Sequence, residues 1–475
     1  MKKTALILFS AFLLGKADAQ KNITGTWEGR LSAASTSLRL VIHIKADKDG
    51  GYSALLDSPD QGAKDIPVSR IQMAGDSLYV EIAAARATVS GILTSDSTFS
   101  GEWQQGASLA LELKKQSTVT PQANLLRPQT PTPPFPYQSL DVVYNNKDKS
   151  IRYGATVTKP KGKGPFPALL LLTGSGPQNR DEELFGHKPF AVIADYLTRR
   201  GYLVLRADDR GVGQTTGNRE QATSEDFATD AVAGINYLRS LPDVDKGKIG
   251  LLGHSEGGMI AQIVAAQRND IAFVIMLAAP GQQVIDLMTG QNKAILQSAG
   301  LPPATVKSYA ALYKPLVSAI AFSNTDSAAF TAATGVVDAW LLNAPKETVM
   351  RTTGISDEES KKKFVRQFVS SAGSPWFRYF LRYKPDDYVR KMKARVLALN
   401  GDRDIQVLSG ANLAALKTSL QKSRVKNFDV IELKGLNHLF QQCKTCTINE
   451  YAQLEETIAP QALATIGSWL AKHIK

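Results

Sequence analysis

Apolar and polar positions alternate with a period of two over residues 20–118. Leu38, Leu40, Ile42 and Ile44 form one such run, and turns rich in Gly and Asp separate it from similar runs. This alternation is typical of strands that bury one face. The segment is therefore predicted to be a small all-β domain, closing as a sandwich or a barrel.

The pattern then changes. Residues 119–137 contain six prolines and few apolar anchors, which favours an extended, semi-rigid linker. Over residues 138–475, continuous apolar runs such as 167–172 alternate with helical patterns such as 223–241. Alternation of this kind predicts an α/β domain with a mostly parallel sheet and helices on both faces.

Between residues 281 and 393 the alternation stops. Four helix-like segments occupy this region, at 282–299, 303–321, 327–342 and 356–368. An insertion of this length between two sheet strands would cover the carboxyl edge of the sheet. We predict a helical lid over about 281–393 that shapes a substrate pocket beneath it.

The first 19 residues have the pattern of a secretory signal peptide. Lys2 and Lys3 precede an apolar run at 5–14, and Ala17 and Ala19 flank the final polar residue. The run is too short to span a bilayer, and no cysteine adjoins the cleavage point. The mature protein is predicted to be secreted or periplasmic, without membrane insertion.

Charge and cysteine content limit the classes of partner. The chain carries 56 Lys and Arg against 44 Asp and Glu, and the net charge of +12 becomes +10 once residues 1–19 are removed. The basic residues are scattered, so no nucleic-acid partner is expected. Cys443 and Cys446 are predicted to form a disulfide rather than a metal site, because two thiols do not make a zinc site. No metal, cofactor or particular oligomeric state is predicted.

The segment 248–267 carries the strongest chemical signal. An apolar run, 249–252, leads into Gly-His-Ser-Glu-Gly, and a helical pattern follows. Strand, sharp turn and helix with a serine at the apex form a nucleophile elbow. Ser255 is therefore the predicted nucleophile, and the amide of Glu256 at the helix start would face the group that Ser255 attacks.

A serine hydroxyl needs a general base, which is usually a histidine. The chain has five histidines. His43 lies in the β domain, His187 precedes the elbow, His254 lies within the elbow turn facing away from the serine hydroxyl, and His473 is near the end. His438, in a loop after the last predicted strand, is the predicted base.

The carboxylate that orients the histidine should follow the strand before the last one. That strand, 396–399, is followed by Asn-Gly-Asp-Arg-Asp. Asp404 is favoured because it lies beyond the turn, and Asp402 is the alternative.

The oxyanion hole needs a second amide besides that of Glu256. The loop 173–177 follows a predicted strand and is rich in small residues. The amide of Ser175 is the first choice in this loop, and that of Gly176 the second.

In this order and context, the motifs resemble those of the α/β-hydrolase fold. The fuller set is similar to that of a bacterial group of exported carboxylesterases: Gly174-Ser175-Gly176-Pro177 with Arg180-Asp181, Asp208-Asp209-Arg210-Gly211-Val212-Gly213, Gly253-His254-Ser255-Glu256-Gly257-Gly258 and Leu436-Asn437-His438. The resemblance covers about 138–475, and the β domain with its Asp57–Gly62 segment resembles a module that often precedes such enzymes. It implies a serine hydrolase, with no particular substrate.

The sequence thus predicts a secreted serine carboxylesterase that cleaves small-molecule or polymer-linked esters through an acyl-enzyme. A peptidase or a thioesterase with the same triad is the alternative, although no acidic pair marks an anchor for a charged terminus. A different class is a polysaccharide-binding protein acting through its β domain. Four charged loop residues, Arg180, Asp181, Asp209 and Arg210, are predicted to be salt-bridged loop supports, with contacts to the substrate as the alternative.

Overall fold

A computed structural model of the chain describes residues 22–33, 36–47, 49–59, 63–85, 87–105, 107–116 and 126–474. The predicted signal peptide and the first part of the predicted linker lie outside these residues. The chain divides into two compact units that meet in sequence between Pro121 and Gln122.

The first unit is one antiparallel sheet. Its nine strands are β1 (Gly25–Ala33), β2 (Thr36–Ala46), β3 (Tyr52–Ser58), β4 (Ala63–Pro67), β5 (Arg70–Ala74), β6 (Ser77–Ile82), β7 (Ala87–Ser95), β8 (Thr98–Gln105) and β9 (Ala107–Lys115). The order is β4-β3-β2-β1-β9-β8-β7-β6-β5. One apolar core includes Trp27, Phe99 and Trp103. The all-β prediction is confirmed, but the described strands form a single open sheet rather than a sandwich or a closed barrel.

The second unit contains an eight-stranded sheet. Its strands are β10 (Gln138–Asn145), β11 (Arg152–Lys159), β12 (Phe166–Leu172), β13 (Leu203–Ala207), β14 (Val244–His254), β15 (Phe273–Leu277), β16 (Arg395–Gly401) and β17 (Phe428–Leu433). They are arranged as β10-β11-β13-β12-β14-β15-β16-β17. Strand β11 runs antiparallel to β10 and β13, whereas the pairs from β13 to β17 are parallel. The predicted mostly parallel sheet is present, in the strand order of the α/β-hydrolase fold.

The second unit also contains α-helices, some of which cover the two faces of this sheet. They are α1 (Pro189–Thr198), α2 (Ser224–Ser240), α3 (Glu256–Gln267), α4 (Val284–Ser298), α5 (Pro303–Ala321), α6 (Asp326–Leu341), α7 (Lys346–Thr353), α8 (Glu358–Ala372), α9 (Pro375–Arg382), α10 (Asp386–Val389), α11 (Ser409–Gln421) and α12 (Pro460–His473). Helices α2, α3 and α11 share one core with the sheet, and α1 and α12 share the other. Among the described residues, none of the helices combines the length and the apolar character needed to cross a bilayer.

Seven helices, α4 to α10, lie between β15 and β16, where the sequence predicts an insertion. All four predicted helices of this region are present within a few residues of their predicted bounds. Helices α7, α9 and α10 were not predicted. The inserted helices have an apolar core of their own that includes Leu312, Leu316 and Val337, so this region packs as a layer rather than as a loop.

The described part of the predicted linker, residues 126–137, belongs to the second unit. The guanidinium of Arg127 donates hydrogen bonds to the carbonyls of Phe185, Ala452 and Leu454 at 2.7–2.9 Å. Buried backbone carbonyls need such donors. This proline-rich segment is therefore anchored along the surface of the α/β unit.

Close packing of α3 against the sheet makes one glycine indispensable. A Cβ at Gly257 would lie 2.0 Å from the carbonyl oxygen of Leu172, whereas a Cβ at Gly335 in α6 would meet no atom within 4 Å. We expect Gly257→Ala to lower the free energy of unfolding by about 3 kcal/mol or more, because backbone atoms must move apart. Gly335→Ala is the matched control and should raise it by about 0.5–1 kcal/mol. Thermal or urea unfolding measures both, and equal behaviour of the two variants would contradict the packing argument.

Candidate active site

Ser255 occupies the turn between β14 and α3. Its backbone has φ 52° and ψ −117°, a conformation that costs on the order of 1–3 kcal/mol and persists only when the surroundings impose it. The amide of Ser255 donates to the carbonyl of Leu277 at 2.8 Å, and its own carbonyl accepts from the amide of Gly258 at 3.0 Å. These bonds hold the serine at the carboxyl end of the parallel strands, as the elbow motif predicts.

His438 lies beside Asp404. The distance from Nδ1 of His438 to Oδ2 of Asp404 is 2.8 Å, and both side chains are buried. The Asp404 carboxylate also accepts the amides of Gln406 and Val407 and the side-chain amide of Asn400, at 2.7–3.0 Å. With these three donors around it, the carboxylate accepts a hydrogen bond from Nδ1 of His438 as well. Nδ1 of His438 therefore carries the proton, which leaves Nε2 free to accept one.

Asp402, the alternative carboxylate, points elsewhere. Its Oδ1 accepts the amide of Gly435 at 2.7 Å, and its Oδ2 lies 3.6 Å from the ammonium of Lys434. These contacts brace the turn between β16 and the loop that carries His438. The structure thus brings Asp404, and not Asp402, to His438.

Ser255 and His438 line the same cavity. This cavity has a volume of about 150 Å³, and its lining also includes Gly174, Ser175 and His254. The predicted nucleophile, the predicted base and the predicted oxyanion loop therefore face one space, which is large enough for a small acyl or alcohol group.

The two predicted oxyanion donors are available. In the part of the chain that the structure describes, the amides of Ser175 and Glu256 donate to no protein acceptor. The amide of Gly174 is occupied, because it donates to Oε1 of Glu182 at 2.6 Å. Gly174 is therefore excluded as the second donor, and Ser175 and Gly176 remain the first and second choices.

The sequence around this site matches that of a known protein family. The sequence matches the X-Pro dipeptidyl-peptidase family (S15) over residues 148–422, more than half of the chain. The chain belongs to this family. It is 35% identical to Esterase EstD of Thermotoga maritima over 168 residues, which are 35% of this chain and 38% of EstD. It is 28% identical to the putative hydrolase YtaP of Bacillus subtilis over 158 residues, 30% of this chain and 52% of YtaP. The chain thus spans less than two thirds of either relative.

Solved structures also resemble the chain. An esterase from Pyrococcus furiosus is 16% identical, with a TM-score of 0.43 and coverage of 71% of this chain and 92% of that one. The alpha/beta hydrolase GrgF from Penicillium is 16% identical, with a TM-score of 0.42 and coverage of 71% and 99%.

Salt bridges brace the loops of this S15-family site. The pairs are Arg180–Asp208 at 2.7 Å, Arg219–Asp209 at 3.0 Å, Arg210–Asp230 at 2.8 Å and a short contact between Arg206 and Asp181. The four charged loop residues, Arg180, Asp181, Asp209 and Arg210, all form salt bridges, as predicted. Asp209 also accepts the hydroxyl of Thr173 and the amide of Gln178, so it holds both ends of the oxyanion loop. Burial raises the pKa of Asp209 to about 6.

A second carboxylate lies beside the predicted nucleophile. The side chain of Glu256 is buried, and its Oε1 accepts the hydroxyl of Ser224 at 2.6 Å and the indole N–H of Trp376 at 2.7 Å. Burial raises the pKa of Glu256, and these donors together with the Ser175 hydroxyl oppose the rise. Trp376 belongs to α9, so the inserted helices reach the residue that follows Ser255.

Two buried residues were missed as members of the site. Nδ1 of His254 lies 3.0 Å from Oε1 of Glu182, and Nε2 of His254 lies 3.0 Å from the backbone carbonyl of His438. The prediction that His254 faces away from the serine hydroxyl gave no hint of these contacts. No local pattern marks Glu182, which lies in a loop with φ 51°.

The disulfide shapes the chain after His438. Cys443 and Cys446 are bonded, as predicted. The carboxylate of Glu450 accepts the amides of residues 444–446 at 2.6–2.9 Å, so the small loop is closed by a covalent bond and anchored by one side chain.

The geometry separates the two candidate aspartates by a direct test. In Asp404→Asn, an amide in place of the carboxylate would favour the wrong tautomer of His438. We expect the rate at which a fluorophosphonate labels Ser255 to fall by about 10⁴-fold, as for other triads. Asp402→Asn changes the same chemical group two residues away and should label at close to the wild-type rate. A fast Asp404→Asn variant or a slow, folded Asp402→Asn variant would contradict the assignment.

Proposed function

We propose that this protein is a serine esterase that cleaves carboxylic esters through an acyl-enzyme. The observation that carries the proposal is the contact between the Asp404 carboxylate and His438, because His438 lines one cavity together with Ser255 and Ser175. Such a set matches the needs of acyl transfer, in which a base, a nucleophile and an oxyanion site must converge.

Each residue has one role in the proposed reaction. Nε2 of His438 takes the proton as Oγ of Ser255 attacks the ester carbonyl, and Asp404 stabilises the imidazolium. The amides of Ser175 and Glu256 donate to the tetrahedral oxyanion, and removal of one such donor costs about 3–4 kcal/mol of barrier. The imidazolium then protonates the departing alcohol. Water, activated by the same histidine, releases the acid and restores Ser255.

Export completes the proposal. Residues 1–19 have the charge and apolar pattern of a signal peptide. The Cys443–Cys446 disulfide agrees with an oxidising compartment, since cytosolic thiols are normally kept reduced. We place the mature enzyme in the periplasm or outside the cell, acting on small-molecule or polymer-linked esters.

We further propose that the inserted helices α4 to α10 are a lid. The support is the hydrogen bond from Trp376 to Glu256, which ties α9 to the elbow. Trp376 also stacks on Phe380, with ring centroids 5.3 Å apart. Aromatic side chains next to a nucleophile limit the size of the acyl group that fits.

Amide cleavage is the second candidate. The name of the family, X-Pro dipeptidyl-peptidase, favours it. The buried carboxylate of Glu256 would also suit a substrate amine. Matched esters, thioesters and anilides of one acyl group distinguish the candidates: a higher kcat/KM on the anilide would replace the esterase proposal by the peptidase one.

The nucleophile is tested with p-nitrophenyl esters from acetate to decanoate. We expect wild type to hydrolyse the shorter members and Ser255→Ala to lose about 10⁴-fold or more in kcat. Thermal unfolding of the variant controls for folding. A wild type that is inert on every ester, or an Ser255→Ala variant with full activity, would end the esterase proposal.

The lid is tested by two tryptophans of the inserted helices. Trp376→Ala should enlarge the pocket and move the optimum of the ester series to longer acyl chains. Trp340→Ala is the matched control, because its indole N–H instead donates to the carbonyl of Ser308 within the inserted layer, at 2.9 Å. We expect it to leave the optimum in place. The proposal fails if the two variants share the wild-type profile.

A further inference from the structure

His254 and Glu182 form a continuous chain of contacts in the wall of the cavity. Oε1 of Glu182 accepts the amide of Gly174 at 2.6 Å and lies 3.0 Å from Nδ1 of His254. Nε2 of His254 lies 3.0 Å from the carbonyl oxygen of His438. One end of this chain is the loop that holds Ser175, and the other is the backbone of the proposed base. None of the proposed reaction steps uses either side chain.

The hydrogen-bond partners of His254 indicate which of its ring nitrogens carry a proton. A backbone carbonyl is only an acceptor, so Nε2 must carry a proton. The other partner is the side-chain oxygen of Glu182 that already accepts the amide of Gly174, so we take it as an acceptor for Nδ1 as well. Both ring nitrogens of His254 therefore donate. The pair is an imidazolium and a carboxylate, buried together.

The electrostatic surroundings agree with this charge state. Burial lowers the pKa of His254, but the charge and hydrogen bond of Glu182, the carbonyl of His438 and the charge of Asp404 raise it, and the net direction is upward. The rings of His438 and Phe440 also face the His254 ring, with centroids 4.8 and 6.4 Å away. Removal of only one partner of such a buried pair strongly destabilises the protein, because the other charge is left buried without a counter-charge.

We propose that Glu182 and His254 act as one positioning unit that couples the oxyanion loop to the catalytic histidine. Glu182 holds the amide of Gly174, one residue before the proposed oxyanion donor Ser175. His254 holds the backbone carbonyl of His438. The proposal rests on the esterase function proposed above. It assigns no contact with substrate to either residue.

Coupling of this kind should affect the transition state more than substrate binding. The oxyanion forms only during reaction, and proton transfer needs a correctly placed imidazole. A misplacement of about 1 Å can cost about 10²-fold in rate. Loss of the pair should therefore lower kcat while KM changes little.

The kinetic test compares Glu182→Gln, His254→Gln and the double variant on p-nitrophenyl acetate. We expect each single variant to lose about 10²-fold in kcat with a nearly unchanged KM. The double variant should be no worse than the poorer single variant, because the two residues act as one unit and no lone charge remains. Wild-type kcat in either folded single variant, or losses that multiply in the double variant, would overturn the proposal.

His473→Gln is the matched control. His473 is the last residue of α12, and its Nε2 lies 3.7 Å from Oδ2 of Asp429. This change therefore removes another histidine that lies beside a carboxylate. It should leave kcat unchanged. A similar loss of kcat in this variant would show a general effect of histidine removal and would overturn the assignment.

Two readouts do not depend on ester turnover. NMR of ¹⁵N-histidine protein at pH 7, assigned with His254→Gln, should show protons on both ring nitrogens of His254, and one bare nitrogen would overturn the charge assignment. Because the pKa of His254 is higher in the folded protein than its ordinary value of 6.5, protonation of His254 stabilises the fold. This stabilisation is complete below pH 6.5 and is lost as the pH rises through the pKa of His254 in the folded protein. The stability lost in His254→Gln should therefore shrink at high pH, and a loss independent of pH would contradict the pair.

The failures are distinguishable. An inert wild type or an active Ser255→Ala variant would end the esterase proposal, and NMR and the rate of fluorophosphonate labelling in Glu182→Gln would still test the pair. Conversely, an active wild type with unaffected Glu182→Gln and His254→Gln variants would leave the esterase proposal standing and end this one.

Discussion

The site depends on the close approach of α3 to the sheet. Gly253 and Gly257 leave no room for a Cβ, since such an atom would lie 2.0–2.1 Å from backbone atoms. That contact forces the turn between β14 and α3 and holds Ser255 at positive φ. A serine cannot keep such a conformation unless the packing on both sides over-determines it. The position of the proposed nucleophile at the carboxyl end of β14 is therefore a consequence of helix–sheet packing.

Around this steric core, buried carboxylates hold the loops of the site. Asp404 orients the side chain of His438, and Asp209 binds both ends of the oxyanion loop. Glu182 binds the amide of Gly174, while Glu256 ties the elbow to α9. Burying a charge is expensive unless donors surround it. Each acid is therefore surrounded by hydrogen-bond donors. Because these donors belong to the surrounding loops and helices, the same hydrogen bonds hold those segments in place.

Sequence was sufficient where the signal is local or countable. The apolar run at 167–172 identified a central strand, now β12, because parallel strands are buried on both faces. His438 could be selected because only five histidines exist. Helix α9 was missed because its eight residues are fewer than the window in which a helical period is recognised, and the openness of the β sheet was missed because strand patterns do not reveal which edges pair. Asp404 was preferred over Asp402 by turn geometry, and the structure places it beside His438.

Glu182 shows why the remainder was out of reach. It lies 72 residues before its partner His254 in the sequence, and one of three consecutive acids in a polar loop looks solvated. Its importance arises only when folding buries it against two donors, since burial converts an ordinary carboxylate into one that must be paired. The same reasoning applies to His254, whose neighbour in sequence is Ser255 but whose hydrogen bonds reach two other loops. Residues that touch substrate can be recognised by motif, whereas residues that hold those residues in place are defined by long-range contacts.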